Sequence, residues 1–197
     1  MVSTEQLKQL RESTGISMMQ CKKALEDANG DIDKALVLLK KTGVEIAAKK
    51  AERELKSGVI QSYIHSNGSV GALVELNCET DFVARNDEFK ALAYDIAMHI
   101  TASSPVYVST DLITDVVKAE TTQMFASEVE GMNKPEDIKK KVLQGKVDAF
   151  LGEKTLLSQP FVKNPEETVD MLIKGMIQKF GEKIEVRRFV RYSLLTS

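Results

Sequence analysis

SGVIQSYIHSNGSVGALVELNC, residues 57–78, decides how this chain is read. Its apolar and polar positions alternate with a period near two: Val59, Gln61 and Tyr63 before Asn67-Gly68, then Val70, Ala72, Val74 and Leu76 after it. A period of two belongs to a strand with one buried face, and Asn-Gly between two such runs is a strong hairpin signal. The expectation is a β-hairpin over 57–78. Residues before it read as helix, and residues after it mix helices with one more strand. The fold class is therefore α+β.

Upstream, Ser3 or Thr4 can cap a helix through EQLKQLRES, with Leu7 and Leu10 on one face. TGIS breaks it. Ser17 caps MMQCKKALEDA, placing Met18, Cys21, Ala24, Leu25 and Ala28 on one side. Asn29-Gly30 suits a left-handed stop, and Asp31 caps IDKALVLLKKT, where Ile32, Ala35, Leu36 and Leu39 share a stripe. Three short helices in about 40 residues make a compact bundle near the lower size limit for a core without staples. Gly43 is expected to end it. VEIAAKKAEREL then reads as a solvated helical linker, because Lys49, Lys50 and Arg53 are balanced by Glu45, Glu52 and Glu54.

Downstream, DEFKALAYDIAMHITAS reads as a helix with Phe89, Leu92, Ala93, Ile96 and Ile100 inward. PVYVS is short and extended or a loop. Asp111 is the expected cap of a helix through LITDVVKAETTQMFASEVEG, and Pro135 suits the first turn of the next. LLSQPFVKNP reads as a loop and EETVDMLIKGMIQKFG as a helix. KIEVRRFVRYSLL alternates again and can join the hairpin. The expected division is a three-helix domain over 1–43, a linker over 44–56, and an α+β core of about three antiparallel strands covered by helices over 57–197.

Composition narrows the function. A net charge of −2 with 28% charged residues argues against a dedicated nucleic-acid binder, and 43% hydrophobic residues exclude a disordered chain. The polar start MVSTEQLKQL carries no signal-peptide pattern, and no apolar run is long enough for a bilayer, so a soluble, cytoplasmic protein without membrane or nucleic-acid partners is expected. Cys21 and Cys78 lie far apart and make no metal spacing with His65 or His99, so no metal or cofactor is expected. Phosphate-loop, dinucleotide-binding, zinc-protease and nucleophile-elbow motifs are all missing. His65 and His99 read as structural or exposed. Cys78 lacks the cationic surroundings that activate a thiol. No catalytic residue is assigned.

Two features remain. Met18 and Met19 are adjacent on a helix and cannot both face inward, so one of them is free to serve an adaptable binding surface. In NCETDFVARND, residues 77–87, an acid and a ring, Asp81 and Phe82, stand together where a strand gives way to a helix. Thr80 or Asp81 could be a simple cap and Phe82 a core plug. Against this, Val83 and Phe89 already offer apolar contacts, and a projecting acid-and-ring tip suits insertion into a partner.

These residues carry a resemblance. LRESTGISMMQCKKAL (10–25), AAKKA (47–51), ELNCETDFVAR (75–85) and LLSQPFVKNPEETV (156–169) are similar to the signatures of the elongation factor Ts family, across nearly the whole chain. The bundle is similar to ubiquitin-associated domains, a weaker signal that alone would suggest a protein-binding adaptor. The resemblance implies a guanine-nucleotide exchange factor for the GTPase elongation factor Tu, not an enzyme. It implies that Arg11, Met18 and Met19 dock on the nucleotide-binding domain. Thr80, Asp81, Phe82 and Val83 would form a tip reaching towards the nucleotide's magnesium site. The chain has room for one sheet subdomain and so resembles the short form, which implies a homodimer. EVRRFVRYSLL, with Val186, Arg188, Val190 and Tyr192 alternating, is the candidate edge.

Overall fold

Ser3 begins the first helix with a capping box. Its side chain accepts from the Gln6 N–H, while Gln6 Oε1 accepts from the Ser3 N–H. The structure, a computed structural model, describes residues 2–194. Helix α1 (Thr4–Thr14) stops at Gly15, which adopts φ 66°. Ser17 caps α2 (Met18–Asp27). Asn29 and Gly30 both take positive φ, 52° and 83°, and Asp31 caps α3 (Ile32–Lys50). The three helices enclose Leu10, Ile16, Cys21, Ala24, Leu25, Ala28, Ala35 and Leu39, which are all buried.

Gly43 does not end the third helix, which continues to Lys50 with Gly43 buried inside it. A Cβ at this position would stand 3.0 Å from Gln178 Oε1 and 3.5 Å from the Lys174 carbonyl oxygen. Glycine here permits a close approach rather than a stop. Met18 also departs from expectation. It is exposed, and so is Met19, so neither joins the bundle core.

Strands β1 (Ser57–Ile64) and β2 (Val70–Cys78) form the hairpin. Two further strands, β3 (Pro160–Phe161) and β4 (Asn164–Thr168), pair separately, and β5 (Ile184–Ser193) completes a three-stranded antiparallel sheet in the order β1-β2-β5. The alternation of β2 is real: Ala72, Val74, Leu76 and Cys78 are buried. The hairpin connection is longer than a two-residue Asn-Gly turn. His65 donates to the Val70 carbonyl, Gly68 donates to His65 O with φ 68°, and Asn67 Oδ1 accepts from the Ser69 N–H. On β5, Ile184 and Val186 are buried, and beyond Val186 no residue of the strand is fully buried. Of the four alternating residues of the expected edge, Val186 is buried and Arg188, Val190 and Tyr192 are exposed. Leu195, the end of the expected edge strand, lies outside the described residues.

The other helices are α4 (Asp81–Arg85), α5 (Asp87–Ser103), α6 (Asp115–Glu130), α7 (Glu136–Glu153) and α8 (Val169–Phe180). Phe89, Leu92, Ala93, Ile96 and Ile100 are all buried along α5, as its pattern requires. The cap of α6 is Thr114, which accepts from the Val117 N–H, whereas Asp111 sits in a preceding 3-10 turn. Pro135 occupies the N-cap of α7. Residues 156–168 are not an open loop. They form a 3-10 turn and the β3–β4 hairpin, so α8 begins only at Val169. Buried polar groups hold that segment. Gln159 Nε2 donates to the Glu153 and Ser103 carbonyls, and its Oε1 meets His99 Nε2 at 2.9 Å. The Val162 N–H donates to His99 Nδ1, so the ring is neutral with its proton on Nε2. His99 thus serves structure, as expected.

The chain divides into two compact units. One takes residues up to Gln61, Val74–Asp95 and Asp170–Arg187. It holds the bundle, the edge-on pair Phe89–Phe180 with centroids 6.4 Å apart, and residues 78–85 with the turn at 181–183. The other takes Ser62–Leu73, Ile96–Val169 and the chain from Arg188. It holds a second apolar cluster of Ile113, Val147 and Leu151, bordered by Phe125 and Phe150.

Candidate partner-binding tip

Strand β2 ends at Cys78, and the chain turns into α4 within two residues. Thr80 makes the turn. Its extended backbone, φ −125° and ψ 157°, places its hydroxyl to accept from the Val83 N–H at 3.4 Å. The five-residue helix that follows is sorted by side: Val83 and Ala84 are buried, while Asp81, Phe82 and Arg85 are exposed. Phe82 is 80% exposed. It is not a core plug. Asp81 is not the cap either, and it pairs with Arg85 one turn on at 2.9 Å, both side chains in solvent.

A helix this short does not hold itself. Its root is held by the turn between α8 and β5. Glu182 accepts twice from Thr80, from the N–H at 3.0 Å and from the hydroxyl at 2.6 Å. Thr80 Oγ1 therefore donates to Glu182 while accepting from Val83. Beside it, Glu79 accepts from the Lys183 N–H at 2.6 Å and from Arg53 Nη1 at 3.1 Å. Burial raises the pKa of the Glu79 carboxyl, but the Lys183 N–H and the Arg53 guanidinium outweigh it and hold the pKa below the ordinary value. Lys50 closes the group by donating to the Gly181 carbonyl at 2.6 Å.

Cys78 is not a nucleophile in this setting. Burial, with the charge of Glu182 adding to it, pushes its thiol up to about 11. The thiol stays protonated at neutral pH and donates to the Thr80 carbonyl at 3.2 Å. It helps to seat the turn. Among the described residues no His, Cys, Asp and Glu side chains gather in a group that could hold a metal, and no helix is long and apolar enough to cross a membrane.

The bundle presents the other residues singled out in the sequence. Arg11 is exposed in the last turn of α1, and Met18 and Met19 open α2 at 40% and 80% exposure. Two adjacent thioethers left in water in a bundle this small form an adaptable apolar surface.

A family model described as elongation factor TS matches residues 4–194. This chain belongs to the elongation factor Ts family. An elongation factor Ts from Thermodesulfovibrio yellowstonii is 48% identical over 98% of this chain and 96% of its own length. One from Carboxydothermus hydrogenoformans is 46% identical over 98% of this chain and 89% of its own, and one from Thermosipho melanesiensis 45% identical over 98% and 99%. The chain spans nearly the whole of these relatives, and it is a translation elongation factor. The exposed acid-and-ring pair belongs to the second motif that carried the family resemblance. Sequence reasoning did not find Glu79, Arg53, Glu182 or Lys183. They come from three separate segments, and no local pattern pairs residues a hundred positions apart.

Proposed function

We propose that this chain binds the GTPase elongation factor Tu and promotes release of its GDP, so that GTP can bind in its place. The observation that carries this reading is Phe82, a large ring 80% exposed at the end of a held turn, where a protein folding for itself would bury it. Phe82 is the wedge that enters an apolar site on the GTPase, and Asp81 makes polar contacts beside the magnesium and phosphate elements. Thr80 sets the turn. Val83 faces inward and roots the tip rather than touching the partner. Arg11, Met18 and Met19 dock the bundle on the nucleotide-binding domain. The 1–43 bundle acts as the docking module, and the remainder carries the tip.

No bond is made or broken by this chain in that mechanism. The GTPase holds its nucleotide through phosphate contacts and a bridging Mg²⁺. A partner that binds best when those contacts are displaced weakens the nucleotide, and linkage makes the nucleotide weaken the partner equally. A coupling of ~4 kcal/mol corresponds to about a thousandfold in affinity. The work takes place in the cytoplasm, where translation runs.

The homodimer belongs to the same reading. In the second unit, Ile64 at 68% exposure on β1 and Tyr192 at 73% and Leu194 at 82% at the end of β5 supply apolar surface across the sheet that a second copy can cover. Light scattering should give twice the chain mass, and Tyr192→Glu should halve it.

The deciding assay is release of a fluorescent GDP analogue from purified elongation factor Tu with and without this chain. Strong acceleration supports exchange. Binding without acceleration, surviving Phe82→Ala and abolished by removing the bundle, would favour a plain ubiquitin-associated-like adaptor.

A further inference from the structure

The exchange reading assigns the residues that would meet the GTPase and leaves open what keeps them in place. The tip sits on a helix of five residues, and its exposed side chains are Asp81, Phe82 and Arg85, the first and last paired with each other. Its position therefore rests on Thr80 and on the two inward residues, Val83 and Ala84. Thr80 is held from outside its own segment by one side chain, through both carboxylate oxygens of Glu182.

We infer that Glu182 is a positioning residue for nucleotide exchange, fixing the direction of Asp81 and Phe82 through its two-point grip on Thr80. The inference rests on the exchange reading above. The geometry is specific. One oxygen takes the Thr80 N–H, which has no partner inside so short a helix, and the other takes the hydroxyl proton. The second bond turns the Thr80 hydroxyl so that its lone pair faces the Val83 N–H. Removing Glu182 frees both ends of that relay.

Glu182 is itself well placed. Gly181, at φ 72°, ends α8 with its N–H on the Ile177 carbonyl, and its own carbonyl accepts from Lys50. The next residue, Lys183, gives its N–H to Glu79. The turn thus grips residue 79 with its backbone and residue 80 with its side chain. Neighbouring residues on both sides are joined, as a positioning device requires.

A merely stabilising contact predicts a different outcome. Loss of a surface contact lowers the fraction of folded protein and leaves the behaviour of what is folded unchanged. Loss of positioning leaves docking of the bundle intact and lowers the maximal rate at saturation, because the ring no longer enters in the right direction. Glu182→Gln keeps an oxygen for the Thr80 N–H and restores part of the grip, whereas Glu182→Ala keeps none.

The test measures stimulated release of a fluorescent GDP analogue across a range of factor concentrations for the parent, Glu182→Ala and Glu182→Gln. Amide hydrogen exchange over residues 80–85 is measured on each protein alone. Glu182→Ala is expected to lower the maximal rate about tenfold, with the half-saturating concentration changed less than about threefold. Glu182→Gln is expected to fall between it and the parent. Amides of 80–85 should exchange about tenfold faster in Glu182→Ala, while those of the α5 core stay protected. A parental maximal rate in Glu182→Ala overturns the inference, as does unchanged protection over 80–85. If the parent itself fails to accelerate release, the exchange reading falls, and the positioning role falls with it. The hydrogen-exchange arm then still shows whether the grip exists, so the two failures are told apart.

Discussion

Phe82→Ala separates a wedge from a core residue by a difference of several kcal/mol in opposite places. The parent ring is 80% exposed, so its removal leaves no cavity and should change unfolding free energy by less than about 1 kcal/mol. The control is Phe89, fully buried against Phe180, where Phe→Ala should cost about 3–5 kcal/mol. Exchange should behave the other way. Complete burial of a phenylalanine side chain is worth about 1.5–3 kcal/mol, and a ring that is four-fifths exposed has about 2 kcal/mol of that still to gain on entering a partner. That is roughly a thirtyfold loss in stimulated release. The assay is stopped-flow release of a fluorescent GDP analogue from elongation factor Tu, run beside urea unfolding of the same preparation. A folded Phe82→Ala protein that exchanges nucleotide at the parent's rate would refute the wedge.

Other parts of the structure yield expectations of their own. Gly58→Ala should destabilise the hairpin by about 1–3 kcal/mol in urea unfolding, because the new Cβ would lie 2.5 Å from the Leu76 carbonyl oxygen and 2.9 Å from Asn77 Cα, both backbone atoms that cannot step aside. Burial lowers the pKa of His99 against a smaller opposing effect from Gln159. The unfolded chain therefore takes up its proton first, and stability should fall as pH drops below about 6.5 and level off below the folded-state pKa. His99→Gln should flatten that slope in unfolding curves taken from pH 7.5 to 5. With its thiol at about 11, folded Cys78 should be alkylated far more slowly at pH 8 than in urea, since about a thousandth of it is thiolate. Rapid modification of the folded protein at pH 8 would contradict the burial.

Local physics made much of the fold legible. Ser3, Ser17 and Asp31 cap helices as their positions required, and Gly15 and Asn29-Gly30 stop them, because each of these effects acts within four residues. The alternation in β2 was readable because one face is buried. Failures came where distant residues decide. Gly43 looked like a stop because nothing local shows that Gln178 and Lys174 approach it. The β3–β4 hairpin was missed because Gln159 and His99, 60 positions apart, hold it. Along β5 the alternate positions change from buried Val186 to exposed Arg188, Val190 and Tyr192, and no local pattern shows how far along a strand a face is covered. At the tip, the odd pairing of Asp81 with Phe82 was visible in the sequence, but the residues that grip it were not.

That division is what the proposed exchange role would require. A tip that were free in solution would have to be ordered on docking, at about 1–2 kcal/mol for each backbone residue fixed. For the residues of α4 this would consume more than the ring can return. Holding Thr80 from Glu182 and Glu79 from Arg53 and Lys183 moves that ordering into the folding of the factor itself, where the whole core supports it. The gain on docking must still stay modest. By linkage, whatever the factor adds to its hold on the empty GTPase must be overcome again when GTP returns and expels it. On the proposed exchange role, one exposed ring on a rigid root, worth about 2 kcal/mol, would meet both conditions, biasing the GTPase and still allowing the factor to leave. A second aromatic one turn on, Arg85→Phe, leaves Asp81 in place and should accordingly tighten the complex with nucleotide-free elongation factor Tu while slowing displacement of the factor by GTP. Faster exchange at every GTP concentration in that variant would show that the modest size of the tip is not what limits turnover.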